Sequence, residues 1–164
     1  SFYGHAHLWL GNGEKAARIL YAFANHASPL RAWREEQPPQ GQEAGGRFVG
    51  DMPHNWASAE FIRLVRNCVV LERGSELHLL EGLPRTWLAA GSTTELKDVA
   101  TDFGPASVLL RVDDDGRHAT LRVRKPPGAD LRRIVVHLGA WAGPDRPEVR
   151  AEDGTVEIVL PLVR

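Results

Sequence analysis

Cysteine is nearly missing from this chain: Cys68 stands alone, so no internal disulfide can form and the redox compartment is left open. Neither sign of charge is in excess, with 20 Lys and Arg against 21 Asp and Glu and a formal net charge of −1. A nucleic-acid binder working through a basic footprint needs a surplus of Lys and Arg, so no nucleic-acid partner is expected. No run approaches the roughly 18 consecutive apolar residues of a membrane helix, and no membrane partner is expected either. There is no phosphate-cradling glycine loop and no serine nucleophile elbow. Metal-ligand spacing is lacking too. Zinc needs three or four converging ligands, and His5 and His7, two apart on a helix, do not share a face. A calcium loop begun at Asp113 would need Glu at its twelfth position, where Arg124 stands. The expectation is therefore no cofactor and no metal.

What remains is ordinary for a globular chain, with 43% hydrophobic and 25% charged residues. A chain of 164 residues makes about one domain, and one of this length buries roughly two thirds of its unfolded surface. No signal peptide is visible. The chain starts at Ser1 in an apolar, aromatic run, and we expect its natural start to lie upstream, which leaves localisation unknown.

The first half has helical period. Phe2 to Leu10 reads as the end of a helix stopped at Gly11, a residue that tolerates the left-handed conformation. A second helix starts at Asn12 or Gly13 and runs to about Ala27, with Ala16, Ile19, Leu20, Phe23, Ala24 and Ala27 on one face. The two form an αα-hairpin. From Ser28 to His54 no period survives among Pro29, Pro38, Pro39, Gly41, Gly45, Gly46 and Gly50. An unstructured connection of that length is usually functional or disordered, and Trp33, Phe48 and Gly50 to Trp56 favour function. A third helix is expected from Asn55 to Arg73, closed by Gly74. Its apolar face carries Phe61, Leu64, Val65, Cys68, Val69 and Leu71, with Glu60, Arg63, Arg66 and Asn67 mostly opposite. Cys68, on the apolar face, reads as a buried small hydrophobe.

After Ser75 to Gly91, with a Leu-Pro turn and an aromatic anchor at Trp87, the period becomes two. Val108, Leu110 and Val112 alternate, Asp115-Gly116 marks a hairpin, and Ala119, Leu121 and Val123 follow. Arg133 to Leu138, Glu148 to Ala151, the turn Asp153-Gly154 and Val156 to Leu160 complete an antiparallel sheet or sandwich.

The sharpest chemical cluster lies on the long loop: Trp33-Arg34-Glu35-Glu36-Gln37, then Gly50-Asp51-Met52-Pro53-His54-Asn55-Trp56. Cleaving a glycosidic bond takes two carboxyl groups, one protonating the leaving oxygen and one activating water or attacking the sugar. Trp33 and Trp56 are candidate sugar platforms, and Asp51, His54 and Asn55 candidate hydrogen-bonding groups. The adjacent Glu35 and Glu36 are not expected both to face one substrate, so one is a candidate and the other points to solvent or pairs with an arginine; the rival reading is a solvated loop with one surface ion pair. Asp51 has a rival role as a cap of the third helix.

The order of a Gly-Asp motif, an amphipathic helix, the passage Leu79-Leu80-Glu81-Gly82-Leu83-Pro84 with Trp87 and a β region resembles the C-terminal end of six-hairpin glycosidases. These are bacterial (α/α)6-barrel enzymes such as α-L-rhamnosidases and α-L-fucosidases of that fold. The resemblance covers essentially the whole chain. It implies an α+β molecule: terminal helical hairpins of an (α/α)6 barrel over residues 1–91, and an antiparallel β-sandwich over 92–164. It also implies an oligosaccharide or glycoside substrate bound in the barrel cavity and hydrolysed by two acidic residues. Glu35 or Glu36 is then catalytic, and Trp33, Asp51, His54, Asn55 and Trp56 line the cavity. The second carboxylate is expected upstream of Ser1, in the missing N-terminal part of the same chain, and the fragment alone is expected to be inactive. The alternative expectation is a non-catalytic carbohydrate-binding or structural interaction module.

Overall fold

The computed structural model describes residues 1–35, 50–137, 148–149 and 155–162. Over these residues the molecule is α+β. Three helices, α1 (Phe2–Trp9), α2 (Gly13–Asn25) and α3 (Asn55–Val69), are followed by strands β1 (Val70–Arg73), β2 (Glu76–Leu79), β3 (Thr93–Val99), β4 (Ala106–Val112), β5 (His118–Arg124), β6 (Arg133–Val136), β7 (Glu148–Val149) and β8 (Thr155–Pro161). A short 3-10 helix, Arg85–Leu88, lies between β2 and β3. No helix among the described residues is long and apolar enough to cross a membrane.

The helices form where the apolar spacing places them. Gly11, at φ +77, turns the chain between α1 and α2, as expected. Leu8, Ala16, Leu20, Leu64 and Cys68 are buried together with Leu71 of β1. Cys68 is fully buried, and burial pushes its thiol up to about 12, so it stays a protonated hydrophobe. On the outside, Phe2, Tyr3, Trp9 and Leu10 around α1 and Ile62 on α3 are exposed.

Two expectations for α3 fail. It ends at Val69 rather than Arg73, and Val70–Arg73 continues without a loop into β1. Residues 69–73 read Val-Val-Leu-Glu-Arg, and β-branched residues fit a pleated, half-buried surface better than a helix. Gly74, expected to close a helix, instead turns the β1–β2 hairpin at φ +59. Glu60 and Asn67, expected on the solvent side, are buried. The reason is α1, which packs on that flank and places His5 Nε2 3.2 Å from Glu60 Oε2. The other ring nitrogen, His5 Nδ1, lies 3.2 Å from Asn67 Nδ2.

The strands form two four-stranded sheets, β1-β2-β6-β7 and β3-β4-β5-β8. The second is antiparallel throughout. Across β4 and β5, Val108 faces Val123, Leu110 faces Leu121 and Val112 faces Ala119, the alternation expected from sequence, and all six are buried. The first sheet departs from the antiparallel expectation, because β2 and β6 pair in parallel. A parallel pair needs a long crossover, and here the intervening chain builds β3, β4 and β5 of the other sheet. Strands on both sides of residue 91 therefore share one sheet. Side chains of both sheets meet in a common core, including Val70, Leu77, Leu79, Leu110, Leu121, Ile134 and Leu160. Trp87, the expected aromatic anchor, packs against this core and the helical one, and its indole N–H donates to Tyr21 Oη at 3.0 Å.

Arg66 of α3 ties the helices to both sheets. Its guanidinium donates two bonds to the Glu72 carboxylate and one to the Ala100 carbonyl at 2.7 Å. Burial acts to raise the Glu72 pKa, but the Arg66 bonds outweigh it and hold the carboxyl below its ordinary 4.5. A depressed folded-state pKa contributes stability above the unfolded value that is lost as pH falls through the folded one. Thermal melts should show this loss below pH 4.5. Glu72→Gln should lower stability at pH 7 by about 1–2 kcal/mol and flatten that acid limb.

Candidate functional site

A cleft of about 300 Å³ opens where the start of α1, the end of α2, the start of α3 and the long loop meet. Phe2, Arg34, Glu35, His54, Trp56 and Glu60 are among the residues that line it. Of the residues singled out from sequence, the structure brings Glu35, His54 and Trp56 to this cleft.

Trp33 is placed differently. It is 8% exposed and packs against Phe23 and Phe61, with ring centroids 5.3 and 4.7 Å away. Its indole N–H donates to the Phe23 carbonyl at 2.8 Å. It is a plug that fastens the loop to the helices, not an open sugar platform. The plug sets the loop's legs in register. The His54 N–H donates to the Trp33 carbonyl at 2.8 Å, and the Glu35 N–H to the Asp51 carbonyl at 3.2 Å. Between them Gly50 adopts φ +90, and a Cβ there would overlap the Glu35 carboxylate. Glycine is required at that point on both counts.

Asp51 does not cap α3. The N-cap residue is His54, with no side-chain cap bond, and Asp51 Oδ1 instead lies 2.5 Å from His54 Nδ1. That bond is the main reason the Asp51 pKa is lowered. An Asp–His bond of this kind orients the imidazole and leaves its Nε2 for another partner. Trp56 is 57% exposed, with its ring edge-on to Phe2 at 5.8 Å. Asn55 is the exposed first residue of α3. Glu36 lies outside the described residues, as do Phe48 and the Asp153-Gly154 turn.

Glu60 was missed by the sequence reading. It is 8% exposed and lines the cleft while meeting His5 and, at 3.4 Å, Arg63. No signal in the sequence marks it, because Glu60 falls with Arg63, Arg66 and Asn67 on the polar side of the helix. Burial is the chief cause that lowers the His5 pKa, with Glu60 pulling the other way.

Linear spacing also gave no sign of the His and carboxylate groups that meet in space. Among the described residues three such groups hold ligand atoms within 4.8 Å of one another: Glu35, Asp51 and His54; Asp113, Asp115 and His118; and His78, Glu81 and His137. The first two are mostly or wholly exposed and the third is mostly buried.

The two tryptophans of the cleft should behave oppositely. Trp33→Ala should cost about 3–5 kcal/mol in denaturant melts, whereas Trp56→Ala should stay within about 0.5 kcal/mol. Comparison of the chain with protein-family models, with curated proteins and with solved structures finds no match.

Proposed function

We propose that this chain is the C-terminal portion of a glycoside hydrolase: the last hairpins of an (α/α)6 barrel, followed by a β-sandwich. The observation that carries the reading is the cleft, which gathers an exposed carboxylate (Glu35), an imidazole held by its own carboxylate (His54) and an open indole (Trp56). An indole face suits the C–H face of a sugar ring, and the imidazole and carboxylate suit its hydroxyls. The exposed Phe2, Tyr3, Trp9 and Leu10 around α1 support a helical neighbour on that side, because such a neighbour would cover them.

In this reading Glu35 exchanges the proton with the glycosidic oxygen or with water. Its backbone N–H is tied to Asp51 and its carboxylate rests on Gly50, so its position is set by the plugged loop. His54, oriented by Asp51, holds a sugar hydroxyl, and Asn55 and Trp56 extend the same wall. Glu60 is committed to His5 and Arg63, so it maintains the charge balance of the wall. The second carboxyl of the pair comes from the part of the protein that precedes these hairpins. Hydrolysis then follows the two-carboxyl scheme, one group protonating the leaving oxygen while the other acts on water or on the sugar.

The test is turnover of aryl glycosides by the complete polypeptide that the gene encodes. Glu35→Gln should reduce kcat at least a hundredfold, as expected for loss of a general acid or base, with little change in thermal stability. Unchanged turnover removes Glu35 from the chemistry. Saturable oligosaccharide binding by the 164-residue chain alone, with no turnover in the complete polypeptide, would identify a binding module instead.

A further inference from the structure

The parallel pairing of β2 with β6 sets His78 opposite Val135 and Leu79 opposite Val136. Side chains alternate along a strand, so His137, two residues beyond Val135, returns to the face His78 occupies. The two rings lie end to end and nearly in one plane, with centroids 5.0 Å apart and 20° between planes. His78 Nδ1 and His137 Nε2 are 2.7 Å apart. Just after β2, Leu80 takes φ +64, and Glu81 Oε2 lies 2.9 Å from His137 Nε2.

We infer that His78, Glu81 and His137 form a binding site for a divalent first-row transition ion, with zinc as its natural probe. Four observations carry the inference. The three ligand atoms converge in the interior, where the side chains of His78 and Glu81 are 9% and 4% exposed. His78 Nε2 lies 3.0 Å from Glu76 Oε2, and donation to that carboxylate leaves the Nδ1 lone pair facing the cluster. This is the carboxylate–histidine arrangement that orients metal ligands elsewhere. Glu81 Oε2 is buried and lies near His137 Nε2 and Arg73 Nη1 without hydrogen-bond geometry to either, so it keeps lone-pair capacity for a cation. Finally, two imidazoles and one carboxylate make a three-ligand set that leaves one position open on a tetrahedral ion. Ligand atoms around zinc stand about 3.3 Å apart, so the groups must open by about half an ångström and the rings turn until both lone pairs meet the ion.

A resident cation already touches the same atoms. Arg73 Nη1 lies 3.1 Å from His78 Nδ1 and 3.4 Å from Glu81 Oε2, while its Nη2 is held by the Leu8 carbonyl. Arg133 pairs with Glu76 on the outer side. The two arginines balance the two glutamates, so the ion enters against Arg73 and displaces its Nη1 while Nη2 stays on Leu8. The site thus joins β2, β6 and the end of α1. The groups around Asp51 and Asp113 offer one imidazole each and lie mainly in water, and they carry no such inference.

The experiment is a titration of the chelator-stripped chain with Zn²⁺ against a chromophoric competitor at neutral pH. One equivalent should bind with a micromolar or tighter Kd. His137→Gln and Glu81→Gln should each weaken it at least tenfold, and Glu76→Gln roughly 10- to 100-fold. Arg73→Met should tighten it about tenfold, because it removes the competing charge. No saturable zinc, or zinc whose affinity is unmoved by His137→Gln and Glu81→Gln, overturns the assignment. Should those variants unfold, Co²⁺ bound to the unaltered chain decides it. Hyperfine-shifted NMR signals from two imidazole rings support the site, and fewer than two overturn it.

Discussion

Helix α3 passes into strand β1 with no residue between them, and the rest of the structure follows from that junction. A loop there would let helices and sheet sit at any angle. A direct continuation commits Cys68 to the helical core and, one and two residues later, Val69 and Val70 to the core between the sheets. The Arg66 bonds to Glu72 and Ala100 brace this corner from outside, and Trp87 fills it from within. Two cores are thereby held as neighbours by one turn of backbone.

The same helix carries a candidate site at each end. Its N-terminus presents His54, Trp56 and Glu60 to the cleft, and its C-terminus runs into the hairpin that holds His78 and Glu81. Each site depends on buried rings whose packing fixes where its polar groups point. Trp33, plugged between Phe23 and Phe61, holds the legs of the long loop in register so that Glu35 and His54 face one space. His78 and His137, end to end, hold a carboxylate beside them in the interior. In both cases the ordering cost of polar groups is met by packing, because isolated polar contacts contribute little once they are exchanged for water.

Much of this was legible residue by residue. The apolar faces of α2 and α3, the stop at Gly11, the buried character of Cys68 and the alternation of β4 and β5 depend on local spacing, which a linear reading captures. The reading failed where a distant element changed a residue's surroundings. Glu60 and Asn67 look solvent-facing on an isolated helix, and α1 covers them. Trp33 looks like a platform on an open loop, and Phe23 and Phe61 enclose it. Asp51 looks like a cap by position, and its carboxylate goes to His54 instead.

By itself the sequence determined the coarse α+β class and the type of most elements, β1 and β3 excepted, because helix and strand periods are properties of adjacent residues. It also determined which side chains had chemistry to offer, because that is a matter of residue type. Only the tertiary structure decided which of them meet. The parallel pairing of β2 and β6 joins residues 57 positions apart in the chain, and no local pattern encodes that pairing. Burial decides the rest, since it turns one tryptophan into a plug, leaves another open to a ligand and withdraws a histidine–glutamate group from water.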